Sequence, residues 1–234
     1  MASIQSNVSQ SRITRDTQQI YQRWGSGIDG SINITTTTTL TGDVLYENLN
    51  IATGVTLNSN GYIIRVRNTL RHFGTISNSA TGATPGARGT VGGGGAVGVS
   101  TLDLALGGNG GQSTVTPPDA GVNAILRDKN VDKPRILDLV NNASTFAGGS
   151  GSSGSNSFGA GGGVVLIFAN TVTGNGSITA NGANAGTNLH AGGGGAVLVY
   201  STSPQGSITL SAAGGTTSGT GIPGGNGNTS WLQV

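Results

Sequence analysis

Gly161-Gly162-Gly163-Val164-Val165-Leu166-Ile167-Phe168-Ala169 is matched 32 residues later by Gly193-Gly194-Gly195-Ala196-Val197-Leu198-Val199-Tyr200-Ser201. Each copy joins a glycine run to a short β-branched and apolar run. Each is followed by a Gly-Ser-Ile-Thr element, at Gly176 to Thr179 and at Gly206 to Thr209. Self-similarity at such a period marks a stacked repeat, in which one unit cannot bury its own apolar face and needs a neighbour. A third trace lies around 74–99, where Gly74-Thr75-Ile76-Ser77 precedes Gly92-Gly93-Gly94-Gly95-Ala96-Val97, the same letters as Gly192 to Val197.

No glycine run is followed by Lys-Ser/Thr, so none is a phosphate-binding loop. Three physical uses remain. Glycine supplies turns with positive φ, lets two backbones approach where a Cβ would clash, or packs as extended threefold helices of the polyproline-II kind. The first two suit a β-helix or β-solenoid, and the third suits a polyglycine-helix sandwich. Gly-Gly-Gly feeding directly into Val-Val-Leu-Ile-Phe favours a tight corner leading into a buried strand. Gly94, Gly162 and Gly194 are therefore expected to be structural.

Composition points the same way. The 234 residues include 44 glycines, only 9% are charged, and there is one glutamate, Glu47, with two lysines, Lys129 and Lys133. Soluble domains ordinarily carry roughly a quarter charged residues, so Ser, Thr, Asn and Gly must cover this surface. These residues disfavour helix through backbone entropy, competing side-chain hydrogen bonds or restricted χ1. Gly/Ser-rich segments can also behave as flexible linkers, but the interspersed apolar strands favour an ordered repeat. With no cysteine there are no disulfides or thiolate metal sites. No apolar run approaches the ~18 residues of a membrane span, and Met1 to Arg12 shows no secretory signal pattern. A net charge of +2 is too small for a nucleic-acid footprint.

Along the chain, Ala2 to Trp24 is the one stretch with helical character, with Ile13, Thr17, Ile20 and Trp24 near one face until Gly25 and Gly27 stop it. Ile20, Tyr21 and Trp24 would be poorly buried on a lone helix, which suits an attachment or oligomerisation segment built on Ile13, Ile20, Tyr21 and Trp24. Strand periodicity then runs through Ser31 to Leu40, Val44 to Ile51, Val55 to Leu57 and Tyr62 to Arg71. In the last, Tyr62, Ile64, Val66, Asn68 and Leu70 share one face, leaving Arg65, Arg67 and Arg71 on the other. That arginine row reads either as a solvated sheet face protected from unwanted pairing or as a site for an anion, an acidic glycan or a partner. A charged insertion at 112–142 interrupts the glycine pattern and holds Arg127, Lys129, Lys133 and Arg135, which suit receptor or subunit contact. His190, in the loop Thr187-Asn188-Leu189-His190-Ala191, reads as a surface residue with contact as its functional alternative. The terminal Ser230-Trp231-Leu232-Gln233-Val234 would cap an open stack.

Catalytic machinery is sparse. Asp43 with Glu47, and Asp128, Asp132 and Asp138, are the only local carboxylate sets, and they sit in turns or solvated loop rather than as a glycosidase pair. His72 and His190 are isolated, so no metal or other cofactor is expected.

The run Leu49-x-Ile51-x-x-Gly54-Val55-x-Leu57-x-x-Asn60-Gly61-Tyr62, then Gly74-Thr75-Ile76-Ser77-Asn78, Gly161 to Ile167 and Gly176-Ser177-Ile178-Thr179-Ala180-Asn181-Gly182, resembles the glycine-rich β-helical structural proteins of tailed-bacteriophage virions, of the tail-fibre, adhesin or minor structural type. The resemblance covers roughly residues 40–230. The fold expected is all-β: a glycine-rich right-handed β-helix or β-solenoid over 31–234, with a short helical or extended attachment segment at 1–30. A polyglycine-helix sandwich is the alternative. The resemblance implies a non-enzymatic homotrimer on the virion surface, assembled in the host cytoplasm. Its partners would be other tail or capsid proteins and a host surface glycan, with no nucleic-acid or membrane partner. A capsid-decoration or head-fibre role is the nearest alternative. A polysaccharide-degrading tailspike is another, disfavoured by the scarcity of acids.

Overall fold

The computed structural model describes residues 23–80 and 159–234, and within them Arg23 and Trp24 are the only helical residues. All other regular structure is strand. In order these are β1 (Ser31–Ile34), β2 (Thr38–Thr39), β3 (Val44–Tyr46), β4 (Asn48–Ile51), β5 (Thr56–Asn58), β6 (Ile63–His72), β7 (Thr75–Ser77), β8 (Val164–Gly174), β9 (Ser177–Thr179), β10 (Ala196–Ser201), β11 (Thr209–Ser211) and β12 (Asn228–Gln233). They form two sheets. The larger runs β1-β4-β6-β8-β10-β12 with β3 also on β6, and the smaller runs β11-β9-β7-β5-β2. Every pairing between described strands is parallel.

Parallel neighbours cannot be joined by a two-residue turn. From β4 onward the chain solves this by alternating between the sheets, so that the crossover out of one is a strand of the other. Like residues consequently stack. Ile64, Ile167, Val199 and Trp231 lie in register across four strands, as do Leu57, Ile76, Ile178 and Leu210 in the smaller sheet. These side chains point between the sheets into one apolar core, where Leu49, Leu57, Ile64, Leu70, Ile76 and Ile178 are fully buried. Burying each such side chain contributes roughly 1.5–3 kcal/mol. Trp231, on the edge strand β12, is half-buried against this core, and its Nε1–H donates to Ser203 O at 2.8 Å.

The predicted strand periods are present, and two of them are divided. Ser31 to Leu40 divides into β1 and β2, and Val44 to Ile51 into β3 and β4. The register between β6 and β8 shifts between Val66 and Thr69, and a shift of this kind bends the strand. Asn68, expected on the inward face with Val66 and Leu70, is exposed there.

The glycine runs are not corners. Gly162 and Gly194 are buried, and neither lies in the left-handed φ region. Segment 190–195 is hydrogen-bonded on three sides. Ala191 and Gly194 donate to Ile222 O and Gly225 O; Gly192 and Gly195 donate to Ala183 O and Ala180 O; His190 O and Gly193 O accept from Gly159 and Gly162. Each direction recurs every three residues. That period is neither the two of a strand nor the 3.6 of an α-helix. It corrects the expectation that these glycines serve positive-φ turns: their use is close approach. A Cβ on Gly162 would collide with Ala180 O, and one on Gly194 with Ala212 O.

Replacing Gly194 with alanine should therefore destabilise the protein by about 3 kcal/mol, the upper end of overpacking. Gly42→Ala, where a Cβ meets nothing within 4 Å and φ is not left-handed, should be neutral or stabilising by up to about 1 kcal/mol. Urea denaturation of both variants checks the contrast.

Candidate functional site

β6 does not present its arginines as one patch, because residues 25–27 lie against Arg65 and Arg67. Arg65 is half-buried with Cζ 5.1 Å from the centre of the Phe168 ring. Burial lowers the pKa of its guanidinium from the ordinary arginine value, and the Asp43 carboxylate opposes that shift. Arg67 is also half-buried and its Nη1 donates to Ser26 O at 3.5 Å. Both are committed to holding the chain. Only Arg71, beyond the bend, is exposed.

Two other expectations change. His190 is only 6% exposed, and its Nδ1 accepts the Ile222 N–H at 3.1 Å. It joins two glycine-rich segments, as Asn184 and Asn188 do by accepting the backbone N–H of Thr216 and Thr220, so it is a structural residue and not a surface contact. Trp24 is buried against Tyr200, with ring centres 5.6 Å apart, and Tyr200 lies 5.8 Å from Phe168. These rings belong to a second apolar cluster with Val164, Leu166 and Leu198, so that β8 and β10 are covered on both faces. Trp24 thus packs on its own chain. Ile13, Ile20, Tyr21, Gly94, Arg127, Lys129, Lys133 and Arg135 lie outside the described residues.

Arg71 belongs instead to an arrangement that its own strand does not reveal. β1, β4 and the second half of β6 lie side by side, with Asn33 opposite Asn50 and Asn50 opposite Arg71. Their outward side chains, with Ser31, Asn48 and Thr69, line an open groove of about 340 Å3. The Ser31–Asn48–Thr69 row is internally bonded. Asn48 Nδ2 donates to Ser31 Oγ at 2.9 Å, the Thr69 N–H donates to Asn48 Oδ1 at 3.3 Å, and Ser31 Oγ donates to Glu47 Oε2 at 3.5 Å. The Asn33–Asn50–Arg71 row is not: no described residue partners these three side chains. Phe73, 43% exposed, lies two residues beyond Arg71, just past the end of β6.

Sequence reasoning found Arg71 but missed Asn33, Asn50 and Phe73. The signal was available in Ile32-Asn33-Ile34 and Leu49-Asn50-Ile51, two copies of one pattern 17 residues apart. The glycine-rich repeat, with its longer period, concealed it.

The described carboxylates serve the backbone. Asp29 Oδ2 accepts the Leu45 N–H at 2.7 Å, Asp43 Oδ1 accepts the Ile63 N–H at 2.9 Å, and Glu47 takes the serine bond above. His72, fully buried in the core, lies 3.0 Å from Ser177 O through Nε2. A carbonyl only accepts, so Nε2 carries the proton and the Nδ1 lone pair stays buried without a partner among the described residues. Compared with known proteins, the chain matches no family model, no curated protein and no solved structure.

Burial holds the His72 pKa below its usual value, with the bond to Ser177 opposing the shift. The unfolded chain therefore binds a proton that the folded one refuses. This contribution to stability is complete above about pH 6.5 and declines below it, with a slope of up to about 1.4 kcal/mol per pH unit. Denaturant midpoints measured from pH 8 to pH 5 should fall on the acid side, and His72→Leu should flatten that fall.

Proposed function

We propose that the chain is a non-enzymatic structural protein of a tailed-bacteriophage virion surface, fibre- or adhesin-like, attached through residues 1–30 and projecting residues 31–234. In this reading the two parallel sheets are the walls of a β-solenoid. In the same reading the glycine-rich segments, bonded in three directions at a three-residue period, run beside it as polyproline-II-type helices. The observation that carries the proposal is the in-register parallel stacking of β8, β10 and β12, at 32-residue intervals, in a chain of which only 9% of residues are charged. Such a stack is rigid along its length because each layer is bonded to the next through backbone. It also carries function on its outward side chains without disturbing the core. The carboxylates that a glycan hydrolase would need are, among the described residues, bonded to backbone or to a serine. That supports a binding role over a cleaving one. Multiple copies on one particle would turn weak contacts into avidity.

Particle binding tests the attachment. Trp24 packs against Tyr200, so a truncation must begin at Arg23 to keep that contact. The 23–234 fragment should melt as cooperatively as the full chain and fail to bind purified particles, which the full chain should bind. Antibody against the chain should decorate intact virions. Undecorated virions would overturn the virion assignment, and a fragment that binds as well as the full chain would overturn the attachment assignment.

A further inference from the structure

We infer that the outward face of β1, β4 and β6 is a binding site for an acidic glycan, with Arg71 taking the carboxylate of a sugar and Asn33 and Asn50 its hydroxyl groups. This rests on the surface reading above only for the source of the ligand.

The argument begins with satisfaction of polar groups. On a parallel sheet, facing polar side chains ordinarily bond across the strands, and the neighbouring row does so through Asn48 and Ser31. Ser77 and Thr179 do the same in the smaller sheet, at 3.1 Å. Asn33, Asn50 and Arg71 occupy three adjacent strands in register, yet no described residue partners their side chains. Strands in a sheet lie about 4.8 Å apart, so the three heads span about 10 Å along the groove. Each asparagine offers two donors and an acceptor, and the guanidinium offers a fork of donors. That fork matches the two oxygens of a carboxylate. A hydroxyl both gives and accepts, which suits the amides.

Two features orient the ligand. At one end the chain continues from Arg71 through the buried His72 to Phe73, whose side chain is 43% exposed and whose N–H donates to Ile51 O on the neighbouring strand. An aromatic face of this kind receives the C–H face of a sugar ring while polar groups hold its rim. At the other end, two strands away, the Glu47 carboxylate lies against Ser31. It repels an anion and accepts from hydroxyls. The acidic group therefore belongs at the Arg71 and Phe73 end. A protein partner would need several apolar anchors close together, and of the groove's lining only Ile32 at its edge exposes a large apolar side chain, against Ser31, Asn33, Asn48, Asn50, Thr69 and Arg71. A nucleic acid would need several cations where the groove has one.

The test is titration of the purified full chain with a glucuronate tetrasaccharide, followed by saturation-transfer NMR. Binding should be measurable at millimolar ligand. Reduction of the carboxyl groups on the probe should weaken it at least about tenfold, as should Arg71→Gln, because a charge-assisted bidentate contact is lost in each case. Asn50→Ala and Phe73→Ala should weaken it as well, and all three variants should keep the parental melting temperature, since these side chains are outside the core. The inference is overturned if the tetrasaccharide does not bind, if the neutral probe binds equally well, if Arg71→Gln binds as the parent does, or if inorganic phosphate at equal concentration displaces the probe completely. Because the assay uses no particles, any of these results leaves the virion assignment standing, and failed particle labelling leaves this site standing.

Discussion

Backbone meets backbone where segments 159–163, 191–195 and 223–227 pass segments 180–183 and 212–215, and there is no room between them for a Cβ. This close approach sets the rest of the architecture. Gly163 O accepts from the Ala196 N–H and Gly195 O from the Asn228 N–H, each at 3.0 Å, so the glycine layer runs directly into the ladder of the larger sheet. The glycine layer and β8, β10 and β12 therefore share one register. A slip of a single residue would bring a side chain into the contact and exchange the side chains of β8 and β10 between two differently packed apolar layers at the same time. Two independent penalties thus guard one alignment.

In-register stacking also explains the composition. When equivalent positions lie opposite one another on parallel strands, a charge tends to face a like charge, which is destabilising, whereas hydroxyls bond across. Thr75 with Ser177 and Thr179 with Ser77 form such a ladder. Where arginine does occur in β6, its strand neighbours are Phe168 for Arg65 and Asn50 and Thr173 for Arg71, none of them charged. The scarcity of charge follows from the repeat, and Ser, Thr and Asn do the bonding that the stack permits.

Legibility in the sequence tracked the strength of the repeat. The 32-residue match between Gly161–Ala169 and Gly193–Ser201 is the observed register of β8 on β10, in which Val164 faces Ala196 and Phe168 faces Tyr200. The all-β class and the burial of Val165, Ile167, Val197 and Val199 were readable from it. The use of the glycines was not, because a corner and a close backbone approach both call for the missing Cβ, and only the contacts made across the chain separate them. The arginine row misled for a different reason. Strict alternation puts Arg65, Arg67 and Arg71 on one face, but residues 25–27, remote in sequence, lie against the first two and leave only Arg71 exposed. His190 and Trp24 misled because their partners, the Ile222 N–H and Tyr200, are remote in sequence and carry no local mark.

The groove shows how such a scaffold can acquire a site. Inward positions of β1, β4 and β6 are constrained by the core, where Leu49 faces Leu70 and Ile51 faces His72. Outward positions bear no such constraint once their polar groups are satisfied. A row that is cross-bonded, like Ser31–Asn48–Thr69, stiffens the sheet. A row left unbonded contributes nothing to that stiffness and keeps its bonding capacity for something outside the chain. The two rows are successive outward positions on the same three strands. Folding therefore requires only one of them to be closed, and the other is open to variation in charge and shape at little cost to the stack beneath it.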